Sequence, residues 1–370
     1  MSRARRPAPM LLACAVLLAG CAGTRPPVPS TQPAITQPPA VVKSPALRIR
    51  AVGDIMLGTT YPDDRTPPND GRGLLAPVAH WLRNADLTFG NVEGVLMDGG
   101  EPEKFCDNPS LCYLFRSPSR YALTLRDAGF DVVSLANNHA RDFGEAGRSA
   151  SMMALDDAGI AHTGRAGDIA SLVVDGHRVA VAGFAPNVGS WSLLDIEGAA
   201  HLVAGLAVGH DIVIVSFHGG AEGADALHVP PGMETFYGEQ RGDLRKFSRA
   251  VIDAGADLVI GHGPHVPRGL EIHRGRLIAY SLGNFATHWG ISVSGNKGLA
   301  PVLDVVIGAN GVFLEGAILS AVQRRPDGVF PDEDQAALRL MRRLAQEDFN
   351  GGGLIFDGSR LLPSPADNGN

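Results

Sequence analysis

The sequence predicts an α/β fold in which two sheets pack face to face between helices, and two patterns carry that expectation. Five apolar, β-branched stretches each run straight into a polar residue able to bind a metal: Leu47–Asp54, Asp86–Glu93, Asp131–His139, Asp211–His218 and Asp257–His265. Helix-length segments separate them, so they read as buried strands whose carboxyl ends gather at one edge, where such folds place ligands. The second pattern is a change along the chain from β/α alternation to a β-rich end, which two packed sheets accommodate better than a single doubly wound one.

The elements follow in order. Gly73–Asn84 reads as a helix after the first strand, and a helix from about Ser119 to Ala128 follows the second. Gly144–Ala158 is another. Strands at Leu172–Asp175 and Arg178–Ala185 surround an Asp-Gly-His turn, a hairpin signal. Ala199–Gly209 and Asp243–Gly255 carry apolar residues at helical spacing, each ahead of a strand that ends in histidine. Gly269–Ile272, Arg276–Ser281, Pro301–Ile307 and Val312–Ser320 read as hairpin strands, the last two turning at Asn310-Gly311. Beyond them, residues 321–370 are weakly specified, with one amphipathic helix near Glu333–Ala345.

Residues 1–20 have the pattern of a secretory signal: Arg3, Arg5 and Arg6 precede a short apolar run from Met10 to Leu18-Ala19-Gly20-Cys21. The run is too short to span a bilayer. Its end resembles a bacterial lipobox, which implies cleavage before Cys21, acylation of that residue, and an exported protein whose first partner is a membrane. An ordinary cleaved signal with a chance cysteine is the other reading. Residues 21–45, rich in Pro, Thr, Gln and Ala, form an extended tether, and residues 46–320 are enough for one large domain. Loss of the three signal arginines takes the formal charge from −7 to −10. That balance disfavours nucleic acid as a partner and makes any polyanionic substrate depend on local positive charge. Apart from Cys14 and Cys21, the chain has Cys106 and Cys112. Export favours a disulfide closing that short loop, the alternatives being two free thiols or half of a metal site.

The strand ends offer imidazole, carboxylate and amide groups, a set suited to Zn, Mn or Fe rather than to a thiolate site. Gly263 and Pro264 disfavour helix between His262 and His265 and bend the loop so that both rings can face one centre. His218 ends a very apolar strand, where a lone histidine is more often structural, but it stands beside Gly219, Gly220 and Glu222. Asp54 reads as a carboxylate ligand, and His139 as a proton carrier. Asp142 reads as a cap for the helix that follows it.

Six motifs then occur in one order: Gly53-Asp54-Ile55-Met56-Leu57-Gly58, Asn91-Val92-Glu93, Ala136-Asn137-Asn138-His139, His218-Gly219-Gly220-Ala221-Glu222, Gly261-His262-Gly263-Pro264-His265-Val266 and Tyr280-Ser281-Leu282-Gly283-Asn284-Phe285. Over residues 47–320 the chain resembles the bacterial CapA family of poly-γ-glutamate capsule-synthesis proteins, which are similar to calcineurin-like metallophosphatases. The resemblance implies a four-layer α/β/β/α sandwich of the metallophosphatase type holding one or two divalent ions. Asp54, Glu93, Asn138, His218, His262 and His265 are the implied ligands, and His139 the residue that protonates the leaving group. Asn91, Asn137, Glu222 and Asn284 are left as substrate contacts. Two positions depart from the phosphatase pattern: Met56 stands where a histidine is expected, and Asn91 replaces a bridging aspartate, with Glu93 near enough to substitute. Two functions follow from the resemblance. One is metal-assisted hydrolysis of a phosphoester or amide, and the other is a non-catalytic factor that binds poly-γ-glutamate or another polyanionic polymer during synthesis or export.

Overall fold

The computed structural model describes residues 44–104 and 112–365; the signal, most of the tether and Cys106 lie outside them. Strand β1 (Ala46–Met56) leads to two short helices, α1 (Arg72–Leu75) and α2 (Ala79–Leu82). A single helix over Gly73–Asn84 is the expectation from spacing, but Pro77 lies between the two pieces, and its missing N–H and ring break the helix there. Strand β2 (Leu87–Val92), helix α3 (Tyr121–Ala128), strand β3 (Val132–Ser134), helix α4 (Gly144–Ala158) and strand β4 (Ala161–Thr163) continue the alternation. Gly129 and Gly159 stop α3 and α4 in the left-handed conformation that a side chain resists.

Strands β5 (Ala170–Val174) and β6 (His177–Ala185) form the expected hairpin, turning through positive φ at both Asp175 and Gly176. Helices α5 (Ile196–Gly209) and α6 (Leu244–Asp253) precede β7 (Ile212–His218) and β8 (Leu258–His262). Asp195 and Asp243 cap those helices, accepting from the amides of Gly198 and Lys246 at 2.9 and 3.0 Å. The β-rich end comprises β9 (Leu270–His273), β10 (Arg276–Ala279), β11 (Asn284–Thr287), β12 (Val302–Gly308) and β13 (Phe313–Leu319). Helix α7 (Ala336–Phe349) and the hairpin β14 (Leu354–Asp357) with β15 (Arg360–Pro363) close the described chain. Among the described residues no helix is long and apolar enough to cross a membrane.

Among the described residues one sheet runs β14-β15-β13-β12-β1-β2-β3-β4 with β11 beside β1, and the other runs β9-β10-β8-β7-β6-β5. Alternation along the strands sets the layers. Leu47, Ile49, Ile212, Ile214, Leu258 and Ile260 point inward to a core shared by both sheets. Their neighbours face outward: Val52 and Val133 meet α2 and α3, while Val213, Val215 and Val259 meet α5 and α6. The result is the four-layer α/β/β/α order, with each fully buried Leu, Ile or Val contributing about 1.5–3 kcal/mol.

The segment after residue 320 is more firmly specified than its composition suggests. Leu338 and Met341 of α7, with Leu354 and Leu361, belong to the core between the sheets, and β15 pairs with β13. Phe349 also stacks on Tyr280 with centroids 4.8 Å apart.

Candidate metal centre

Register brings the polar strand ends together. Asp54 on β1 stands opposite Asn91 on β2 and Asn284 on β11, and His218 on β7 stands opposite His262 on β8. The loop after β8 then crosses to the other sheet. Its Gly263 has φ 114 and lies so close to the Gly219 backbone that a Cβ would meet it at 2.6 Å. His265 has φ 61, a conformation that costs a β-substituted residue about 1–3 kcal/mol and persists where the surroundings over-determine it.

Those surroundings are acidic. His265 Nδ1 lies 3.0 Å from Asp54 Oδ2 and 3.0 Å from Asn284 Oδ1, while its Nε2 lies 3.6 Å from Glu93 Oε1 and 3.8 Å from Glu222 Oε2. One ligand atom from each of Asp54, Glu93 and His265 falls within 4.8 Å of the others. Both carboxylate oxygens of Glu93 are buried with no hydrogen-bond partner, as are His218 Nε2 and Asn138 Oδ1. Orphaned buried acceptors are costly, so this donor set fits a divalent cation of the Zn, Mn or Fe class.

The proton affinities point the same way. Burial pushes the Glu93 carboxyl up to about 8 despite the nearby His265. Burial acts against the charge on Asp54 too, but the hydrogen bond from His265 and the positive charge of that ring hold it down at about 2. Burial also works against a proton on His265, yet Glu93, Asp54 and Glu222 lift it to about 10. The cluster therefore favours positive charge at its middle, a role an imidazolium or a metal ion can fill. His218, buried away from water, is pushed well below its ordinary range, which keeps its ring neutral and able to donate a lone pair.

His139 stands at the rim of this cluster. Its Nε2 is 3.9 Å from Glu93 Oε1, its ring packs on Phe115 at 4.4 Å, and its Nδ1 is 2.8 Å from Asp142 Oδ2. Asp142 is expected as a helix cap; instead α4 has no side-chain cap, and the carboxylate serves His139. The same oxygen accepts from the Phe115 amide at 2.8 Å, and the other meets Lys104 Nζ at 3.0 Å. With an acceptor on that side, His139 carries its proton on Nδ1 and presents the Nε2 lone pair to the centre. Burial lowers its affinity for a second proton, opposed by Asp142.

Other expected residues take different places. His262 is expected as a ligand, but its Nε2 lies 3.0 Å from the Val52 carbonyl in the other sheet and its Nδ1 3.4 Å from Ser216 Oγ on the neighbouring strand of its own sheet, so both nitrogens face packing partners. Asn91 donates to Asp54 Oδ1 at 2.8 Å and accepts from Asn137 at 3.1 Å. Asn137 also donates to the Val92 carbonyl and accepts from the His139 amide. Asn284 donates to the carbonyls of His265, Ser292 and Lys297. These three amides are spent on holding the centre, whereas Glu222 lies partly open, paired with the buried Arg241 at 2.8 Å. Arg241, in the short strand Glu239–Gly242, and Lys104 belong to none of the five apolar runs, and nothing local in the chain marks them. The His139 to Asp142 spacing of three residues was the available signal for that pair. Cys112 is disulfide-bonded, and its expected partner Cys106 lies outside the described residues.

Residues 48–288 match the family model described as bacterial capsule synthesis protein PGA_cap. The chain is 27% identical over 261 residues to a capsule biosynthesis protein CapA of Bacillus anthracis, covering 66% of this chain and 60% of that protein. It is 33% identical over 228 residues to a probable polyglutamine synthesis accessory protein of Mycobacterium tuberculosis, covering 54% and 55%. The chain thus spans less than two thirds of the length of these relatives. Among solved structures, a calcineurin-like phosphoesterase of Bacillus subtilis aligns with a TM-score of 0.43 at 15% identity, covering 82% of this chain and 97% of that one.

Proposed function

Since the chain belongs to the bacterial capsule synthesis protein PGA_cap family, we propose that it is a metal-dependent hydrolase of a phosphoester or amide bond in the making of an anionic capsule polymer such as poly-γ-glutamate. The observation that carries this reading is the convergence of Asp54, Glu93 and His265, with His139 Nε2 3.9 Å from Glu93. Asp54, Glu93 and His265 would hold the ion, with His218 Nε2 and Asn138 Oδ1 as further donors. Such an ion supplies Lewis acidity to a phosphoryl or acyl centre.

The side chains do the rest. His139, held by Asp142, accepts a proton at Nε2 from the attacking water and delivers it to the leaving group, so the expected acid acts first as a base. Asn91 and Asn284 fix Asp54 and His265 in place. In our reading acyl groups on Cys21 hold this domain at a membrane through the tether of residues 21–45. The alternative is a non-catalytic factor that binds the polymer. It draws on the Mycobacterium relative, which is described as an accessory protein.

The test is a screen of the purified, metal-assayed protein against phosphomonoesters, phosphodiesters and γ-glutamyl amides beside Asp54→Asn. Turnover that follows metal content and vanishes in Asp54→Asn supports the hydrolase. Full metal with no turnover on any of the three classes leaves the binding factor.

A further inference from the structure

Beside the His139–Asp142 pair lies a cleft of about 430 Å³ whose lining includes Lys104, Asn138, Arg141, Arg148 and Asn187. Arg148, on α4, is only 2% exposed. Its guanidinium donates to the Gly189 carbonyl at 2.5 Å and the Val188 carbonyl at 3.4 Å, and its Nε has no partner. Among the described residues no carboxylate lies within ion-pair distance of it. A buried charge left without a counter-ion is strongly disfavoured, and burial accordingly lowers the proton affinity of Arg148. The neighbouring cations are better matched. Lys104 pairs with Asp142 at 3.0 Å, and Arg141 Nε faces Oε2 of the partly exposed Glu145 at 3.6 Å, an ion pair too long for a hydrogen bond. Glu103 is the one carboxylate in the lining. The Nε–H of Arg148 therefore has no acceptor, and that of Arg141 reaches a carboxylate only beyond hydrogen-bond distance, in a chain that is acidic as a whole.

We propose that this cleft is an oxyanion subsite, centred on Arg148 and Arg141, that seats an anionic group of the substrate flanking the bond to be cut. A guanidinium presents donors in a planar fork that matches the paired oxygens of carboxylate and phosphate alike. The cleft and the candidate centre share the loop carrying Asn137, Asn138 and His139, so an anion held here fixes the substrate relative to the His139 ring. The proposal rests on the hydrolase reading for what is cut, but not for what is bound.

The experiment titrates the full-length, metal-assayed protein with γ-linked tri-glutamate and, separately, with inorganic phosphate, by calorimetry at fixed ionic strength. Arg148→Met should weaken tri-glutamate or phosphate binding at least tenfold, and Arg141→Gln about threefold, with metal content unchanged. The partly exposed Arg141 keeps the test open if Arg148→Met does not fold. Saturation by the peptide alone assigns a carboxylate, and saturation by phosphate alone assigns a phosphoester group. Affinity equal to the parent in the folded variants, or binding of neither probe, overturns the subsite. Arginine-dependent binding without turnover on any substrate retains the cleft and removes the hydrolase. Turnover lost in Asp54→Asn, with binding indifferent to both arginines, does the reverse.

Discussion

His265 Nδ1 stands 3.0 Å from Asp54 Oδ2, and this contact joins the loop after β8 in one sheet to β1 in the other across the candidate centre. Because both groups are buried, each depends on the other: His265 holds Asp54 ionised, and Asp54 helps to hold a positive charge on His265. Asp54→Asn removes a negative charge from the groups that would hold the ion, and His265→Ala removes a ring nitrogen from them. Metal affinity should fall by at least about 100-fold, since even outer-shell partners are worth 10–100-fold. Elemental analysis after gentle purification measures this, and parental metal content in both variants would remove the metal centre.

His139 should separate from the ligands. His139→Ala is expected to keep metal and fold while turnover drops on the order of 10²–10⁴-fold, the range for a positioned acid or base. Asp142→Asn should follow it in direction, because the amide no longer demands a proton on Nδ1 and the ring loses its fixed tautomer. Metal loss in His139→Ala equal to that in His265→Ala would make it a ligand instead.

How much of this was legible follows from where the information lies. The strand ends were readable because an apolar run that leads into Asp54, His218 or His262 has a recognisable composition and a polar marker, and both survive folding. The hairpin at Asp175-Gly176 was readable because its turn demands positive φ. What the strand ends do once they meet was not. Whether an imidazole faces a carboxylate, as His265 does, or a backbone carbonyl, as His262 does, depends on the spacing of two sheets set by side chains far along the chain. The short helices around Pro77 and the docking of α7 were obscured for the same reason, since local spacing does not report which neighbour will accept an apolar face.

Cys21→Ser tests the tether. With the proposed site of acylation gone, the only membrane contact proposed for this chain is lost, and the protein should move from the membrane pellet to the soluble fraction. Retention in the pellet after a high-salt wash would show a different anchor.

His162 supplies a pH dependence away from the centre. Its Nδ1 lies 2.9 Å from Asp168 Oδ2 and its Nε2 3.3 Å from Asp156 Oδ1, and the Asp168 hydrogen bond raises its proton affinity above the ordinary 6.5. A raised folded value means that the protonated ring stabilises the fold fully below 6.5, and that this contribution fades as the pH rises through the folded value. His162→Gln should therefore cost about 0.5–1 kcal/mol at pH 5.5, after allowance for solvent screening, and less at pH 9. Urea denaturation at both values checks the sign, and a penalty that grows with pH contradicts it.

Met341 tests whether the last fifty residues are part of the fold or an appendage. It is fully buried on α7 in the cluster that fills the space between the sheets, where a truncated side chain leaves a cavity lined by both. Met341→Ala should destabilise the whole domain by about 2–5 kcal/mol in a single cooperative transition. An appendage behaves otherwise: it would melt alone, ahead of an unchanged main transition. A substitution at Arg342, whose guanidinium lies over the Phe356 ring at 5.7 Å, supplies the control. Arg342→Ala removes that ring contact, worth about 0.5–1 kcal/mol, and a long exposed hydrogen bond to the Phe356 carbonyl, and should leave the transition near that of the parent. If both variants unfold with the parent midpoint, α7 contributes nothing to the core and the tail is separable from the centre that Asp54 and His265 build.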